Sequence, residues 1–97
     1  MKVEGSYSFV HNRLIFFIYC KGENKKEKRH ENAIYEFMKN QIDILQSDLD
    51  NSFFMLEYDR DLMKIIEEII KVAFDFTQKQ FQEIPMTLEI KRIIGSA

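Results

Sequence analysis

Cys20, with His11 or His30, is the pairing in this chain that could supply a nucleophile and a general base. A reactive thiolate needs an exposed, electropositive setting. Cys20 instead closes the apolar run Leu14-Ile15-Phe16-Phe17-Ile18-Tyr19-Cys20. Free cysteine is among the most buried residue types, so an inert thiol is expected. His30 stands in a charged segment and reads as a surface imidazole. Metal-ligand spacings are absent: the sequence has no CxxC, HxxxH or HExxH. Gly5, Gly22 and Gly95 are isolated, so no glycine-rich phosphate loop can form, and there is no GxSxG. No pair of carboxylates can be argued as a glycosidase couple. The expectation is a non-catalytic protein with no metal and no cofactor.

Two charged stretches could bind ligands without catalysis. Lys21 to Arg29 holds five Lys/Arg and two Glu. Amide groups at a helix start flanked by cations can hold a phosphate. Nucleic acid would be held there by Lys25, Lys26, Lys28 and Arg29 through counterion release, with Tyr19 or Tyr35 stacking on bases. Glu23, Glu27 and Glu31 dilute that charge. There is no RNP-like strand, no GxxG and no helix-turn-helix. The second stretch sets Asp43, Asp48, Asp50, Glu57, Asp59 and Asp61 against Arg60. The EF-hand pattern is missing, so capping and ordinary solvation account for these acids.

These residues need elements to position them. Ser6 to Val10 and Leu14 to Cys20 are rich in strand formers and flank the polar break His11-Asn12-Arg13, which predicts a hairpin. The second run has no polar face, so it is predicted to be central and covered on both sides. Residues 21–29 are read as a mobile loop or frayed turn. Asn24 and Glu27 have capping spacing, but four cations would crowd the positive end of the helix dipole. A helix is placed over about 31–49, stopped by Asp50-Asn51. Phe53 to Tyr58 reads as a further strand. A long helix follows from Asp59-Arg60-Asp61, either Asp capping it, to about Glu83, before Pro85. For Thr87 to Ile94 the alternation of Leu88 and Ile90 favours an edge strand. Met86, Ile90, Ile93 and Ile94 equally fit a helix ended by Gly95. The predicted fold is one α/β domain over residues 1–97, with a mixed sheet of about four strands and two helices in the order β-β-α-β-α-β.

The second helix carries more apolar surface than one contact needs. Leu62, Ile66, Ile69, Ala73 and Phe76 make one stripe, and Met63, Ile70, Phe74 and Phe81 a second beside it. With Ile65 and Val72 they span roughly 200° of the helix, against about 100° for a minimal core-facing stripe. Either the first helix covers the surplus or another chain does. A sheet with both helices on one side would also leave its other face bare. The expected function is therefore a small regulatory protein acting through protein–protein contact, a homodimer being one form of it. Met63, Ile70, Phe74 and Phe81 are the candidate partner-binding residues, and the partner's identity is not legible.

Bulk composition agrees. The 97 residues carry a formal charge of −2, which excludes both a histone-like base and an acidic DNA mimic. One cysteine permits no internal disulfide and fits a reducing compartment. The longest apolar run is seven residues, far short of the ~20 that span a membrane. No signal-peptide pattern is present, and a cytoplasmic location is expected.

Two short segments carry a family resemblance. Gly22 followed by His30-Glu31-Asn32-Ala33 and Phe37 resembles the G…PENA…F segment of SiaC-like bacterial regulatory phosphoproteins, a group with the STAS-like fold of anti-sigma-factor antagonists. Leu56-Glu57-Tyr58 is similar to the strand before their phosphorylation motif. His30 stands where those proteins have proline. Asp61-Leu62-Met63 stands where they carry the phosphorylated Thr and its Ser neighbours, so their phosphoswitch does not transfer. The resemblance implies a small non-catalytic binder of a kinase, phosphatase or sigma-regulatory protein.

Overall fold

Alternation of side chains builds the first element. In β1 (Lys2–Val10) Val3, Gly5 and Tyr7 point to one face and are buried, while Lys2, Glu4 and Ser6 point to the other. The computed structural model describes residues 1–10, 13–53 and 62–93. β2 (Arg13–Lys21) pairs antiparallel with β1, from Val10↔Arg13 to Lys2↔Lys21. Two helices follow in succession, α1 (Lys25–Phe53) and α2 (Leu62–Gln80). The last element, β3 (Thr87–Arg92), runs parallel to β1 on its other side. The result is an α/β fold with a three-stranded mixed sheet of order β2-β1-β3 and element order β-β-α-α-β.

This corrects the expected four strands in the order β-β-α-β-α-β. The residues read as the third strand begin with Phe53, which is the last residue of α1. Asp50-Asn51 does not stop the helix, since either residue costs only about 0.7 kcal/mol in a helix, unlike proline. Residues 54–58, the rest of that strand, lie outside the described residues. So do the Asp59 and Asp61 caps and the Leu56-Glu57-Tyr58 match.

The helix start is a second correction. Residues 25–29 are the first turns of α1 and not a loop. Asn24 is the N-cap: its carbonyl accepts the Lys28 N–H (2.9 Å) and its Oδ1 accepts the Glu27 N–H (2.9 Å). Glu27 Oε1 in turn accepts the Glu23 N–H at 2.9 Å. Such a cap is worth about 0.5–2 kcal/mol. Each cation near a helix start costs about 0.3–1 kcal/mol at low ionic strength and less once screened by salt. Lys25, Lys26, Lys28 and Arg29 are all exposed, and the cap together with the packed face of Ile34, Met38 and Ile42 outweighs them.

Both helices pack on the same face of the sheet. The core joins Val3 and Tyr7 of β1 to Ile34, Met38 and Ile42 of α1 and to Ile66, Ile69, Ile70 and Ala73 of α2. Phe16, Ile18 and Cys20 of β2 and Leu88 and Ile90 of β3 pack against its margin. Fully burying each large aliphatic chain contributes about 1.5–3 kcal/mol. Gly5 sets how closely α2 approaches: a Cβ there would lie 2.6 Å from Ile70 Cγ2. A β-branched side chain has little freedom to move aside. Among the described residues, no helix is long and apolar enough to cross a membrane.

Candidate interaction surface

Among the described residues no helix or strand covers the face of the sheet turned away from the two helices, here called the open face, and its residues follow from the register. On β2 it presents Ile15, Phe17 and Tyr19, which are 37%, 52% and 58% exposed. On β1 their register partners are Ser8, Ser6 and Glu4. On β3 it presents Thr87, Glu89 and Lys91, and the exposed Ile93 follows. The backbone N–H of Ile93 donates to the Tyr7 carbonyl at 2.8 Å, which continues the strand pairing by one residue.

The surface divides into two bands. One is the apolar row on β2. The other is a charge cluster across β1 and β3. Lys2 Nζ lies 3.0 Å from Glu89 and 3.4 Å from Glu4. Lys91 Nζ lies 3.6 Å from Glu4 and 3.7 Å from Glu89. Two cations and two anions thus neutralise one another. Hydrogen bonding from Lys2 holds the Glu89 carboxyl below its usual range, and Glu89 and Glu4 raise Lys2 above its own. Ser8 lies between the bands; its Oγ is buried without a hydrogen-bond partner among the described residues.

β2 is therefore an edge strand, not the central strand its composition predicts. Its inner side chains reach the core, its outer ones face solvent, and its outer edge has no neighbouring strand among the described residues. Beside it, Phe16 and Ile18 line a groove of about 190 Å³ with Tyr35, Lys39, Ile42 and Asp43 of α1. The Lys39 ammonium sits 6.0 Å from the centre of the Tyr35 ring. A long, apolar edge strand carrying neither proline nor a central charge is the kind of element that proteins usually protect.

The candidate residues read from the sequence are elsewhere. Ile70 is fully buried within the chain, against Gly5. Phe74 and Phe81 are half-buried and pack against the core. Phe81 meets Phe37 edge-to-face at 5.9 Å and His30 at 6.5 Å, so α1 covers that part of the second stripe. The side chain of Met63 lies outside the described residues. Phe76, from the first stripe, is 45% exposed, and Thr77 is buried in its place with its hydroxyl donating to the Ala73 carbonyl at 2.7 Å. Ile15, Phe17 and Tyr19 were legible as an apolar run; what sequence could not show was which strand would lie at the edge.

The basic segment is committed internally. The Glu27 N–H is taken by Asn24, and the Gly22 N–H donates to Glu31 Oε1 at 2.7 Å. Glu27 also accepts from Glu23 and pairs with the Met1 α-amino group at 3.0 Å, and that amino group donates to the Pro85 carbonyl at 3.0 Å. The Glu23 hydrogen bond, followed by the α-amino group, holds the Glu27 carboxyl below its usual range. The Gly22 and Glu23 N–H groups thus face carboxylates, and the Glu27 N–H faces the Asn24 amide oxygen. Lys26 adds a long contact of 3.9 Å to Glu83. Lys25, Lys28 and Arg29 are exposed and, at i, i+3 and i+4, share one side of the first turns.

Cys20 faces the margin of the core. Desolvation, then the neighbouring Glu31, pushes its thiol up to about 11, so it is protonated at neutral pH. Of the two histidines that could serve it as a base, His30 has its Nδ1 hydrogen-bonded to the Lys26 carbonyl at 2.9 Å, and His11 lies outside the described residues. Among the described residues, no group of His, Cys, Asp and Glu side chains could hold a metal ion. No protein-family model matches this chain, and no curated protein or solved structure is similar to it.

Proposed function

We propose that this is a small, non-catalytic, cytoplasmic regulatory protein that acts by protein–protein contact, and that the open face of the sheet is its contact surface. The observation that carries this is the position of β2. Its most apolar strand lies at the edge with Ile15, Phe17 and Tyr19 facing solvent. Leaving large aromatic side chains in water forgoes about 25 cal/mol per Å² of apolar area. A contiguous exposed apolar row rimmed by charge is the usual mark of an interaction site.

A photo-crosslinking aromatic residue in place of Tyr19 tests this in cells. Covalent adducts are expected from position 19. They should be absent from the same probe at Lys79, on an exposed position of α2. Adding Phe17→Glu should remove the adducts while the chain keeps its fold, because exposed positions tolerate substitution within about 0.5 kcal/mol. No adduct at position 19, or adducts that survive Phe17→Glu, would remove the reading.

A further inference from the structure

We infer that the open face binds a second copy of this chain, face to face with strands reversed, so that Glu89 meets Lys91 of the other copy. The inference rests on the reading of the open face as a contact surface and names its occupant.

A two-fold contact between two sheet faces has two simple orientations. With the axis along the strands, β2 of one copy lies over β3 of the other. That sets the aromatic row on the charge cluster. With the axis across the strands, β2 lies over β2, β1 over β1 and β3 over β3, each pair running in opposite directions. Apolar row then meets apolar row, and charge meets charge. The two-band layout of the face selects the second orientation.

The order of charges along β3 then selects the position of the axis. Glu89 and Lys91 are successive residues on the open face. An axis midway between their levels sets Glu89 opposite Lys91 twice, once on each side of the axis. The same level on β2 lies between Phe17 and Tyr19, because the register aligns Phe17 with Ser6 and Lys91, and Tyr19 with Glu4 and Glu89. Phe17 therefore meets Tyr19, and Ile15 meets the aliphatic stem of Lys21. An axis at the Phe17 level would set Lys91 against Lys91. One at the Tyr19 level would set Glu89 against Glu89. Aromatic contact and charge complementarity agree on a single register.

Pairing along the outer edge of β2 is the competing arrangement. Centred on Phe17, it would place Arg13 opposite Lys21 at both ends, and like charges directly opposite destabilise a strand pair.

The area bounds the affinity. β1 and β2, of nine residues, are about 30 Å long and β3, of six, about 20 Å; the three strands span about 14 Å, a face of roughly 400 Å² in projection. Standard interfaces bury about 800 Å² per partner. A weak dimer, dissociating in the micromolar range or above, is the expectation.

Light scattering on a size-exclusion column, over a range of concentration, tests this. The wild-type chain should move from 11.7 kDa toward twice that mass as concentration rises. Glu89→Lys and Lys91→Glu should each weaken self-association by about tenfold or more, since each places like charges together twice. An equal mixture of the two variants should recover a dimer, because every contact is then between opposite charges. A wild-type chain that stays monomeric throughout overturns the second copy as occupant and leaves the open face free for another protein. A mixture no tighter than its components overturns the register. A Phe17→Glu chain that still dimerises overturns both this inference and the reading of the face beneath it.

Discussion

The joint where β2 passes into α1 and the open face of the same strand are built on opposite principles. At the joint every polar group named above has a partner within the chain. The Gly22 N–H meets Glu31, the Glu27 N–H meets Asn24, and the Glu27 carboxylate meets Glu23 and the Met1 α-amino group. The chain passes so closely that a Cβ on Gly22 would stand 2.7 Å from the Lys28 nitrogen and 2.8 Å from the Glu27 carbonyl carbon. A few residues back along the strand, Phe17 and Tyr19 stand more than half exposed, and Ser8 across from Ile15 keeps a buried hydroxyl with no partner among the described residues. The acids and the amide of this charged segment, Glu27, Glu31 and Asn24, are thus used within the chain, while its cations stay exposed.

The contrast can be broken most strongly at Gly22. Gly22→Ala forces a methyl group against backbone that has no room to yield. A loss of about 1–3 kcal/mol of stability is expected in urea denaturation, the scale of overpacking. A loss below about 0.5 kcal/mol would mean that the joint is loose. The next effect is acid sensitivity. The Glu27 carboxyl is held below its ordinary value of 4.5 by the Glu23 N–H and the α-amino group. A depressed acid stabilises the fold fully above its unfolded value and loses that contribution as pH falls through the folded one. Stability should therefore drop below about pH 4.5, and Glu27→Gln should flatten that part of the profile measured by thermal unfolding. The smallest effect is on the open face. Ser8→Ala removes a buried, unpaired hydroxyl and should leave stability unchanged or raise it by up to about 1 kcal/mol. A clear loss would show that the hydroxyl has a partner after all.

Much of the fold was legible, and the failures have identifiable causes. The alternation of Leu88 and Ile90 marked β3, and the doubly apolar run marked β2. The Asn24/Glu27 spacing announced the cap. The dipole argument that displaced it set four cations against the cap alone and left out both their screening in water and the packed face of α1. Asp50-Asn51 was read as a stop, but neither residue costs enough to end a helix that already has a packed face. The wide arc on α2 was real. Sequence could not say that α1 would cover Phe81, or that Gly5 would admit Ile70 so deeply. Both depend on contacts between distant residues. For the same reason strand order is invisible to periodicity. A run without a polar face predicts cover on both sides, and the described elements cover β2 on one side.

The strand order β2-β1-β3 has a consequence for how the chain is made. β1 is synthesised first but completed last. Val3 finds Cys20 within a local hairpin, yet it must wait for Leu88 on its other side. Chains emerge at about 5–20 residues per second, while hairpins form in microseconds. During synthesis the hairpin and α1 therefore exist for seconds with the inner edge of β1 unpaired. That edge can close only when β3 arrives. The sheet is completed in a single late step, and non-local parallel pairing of this kind is slow. Until then β1, the central strand of the finished sheet, is itself a bare edge, and it is then that a neighbouring nascent copy can mispair with it.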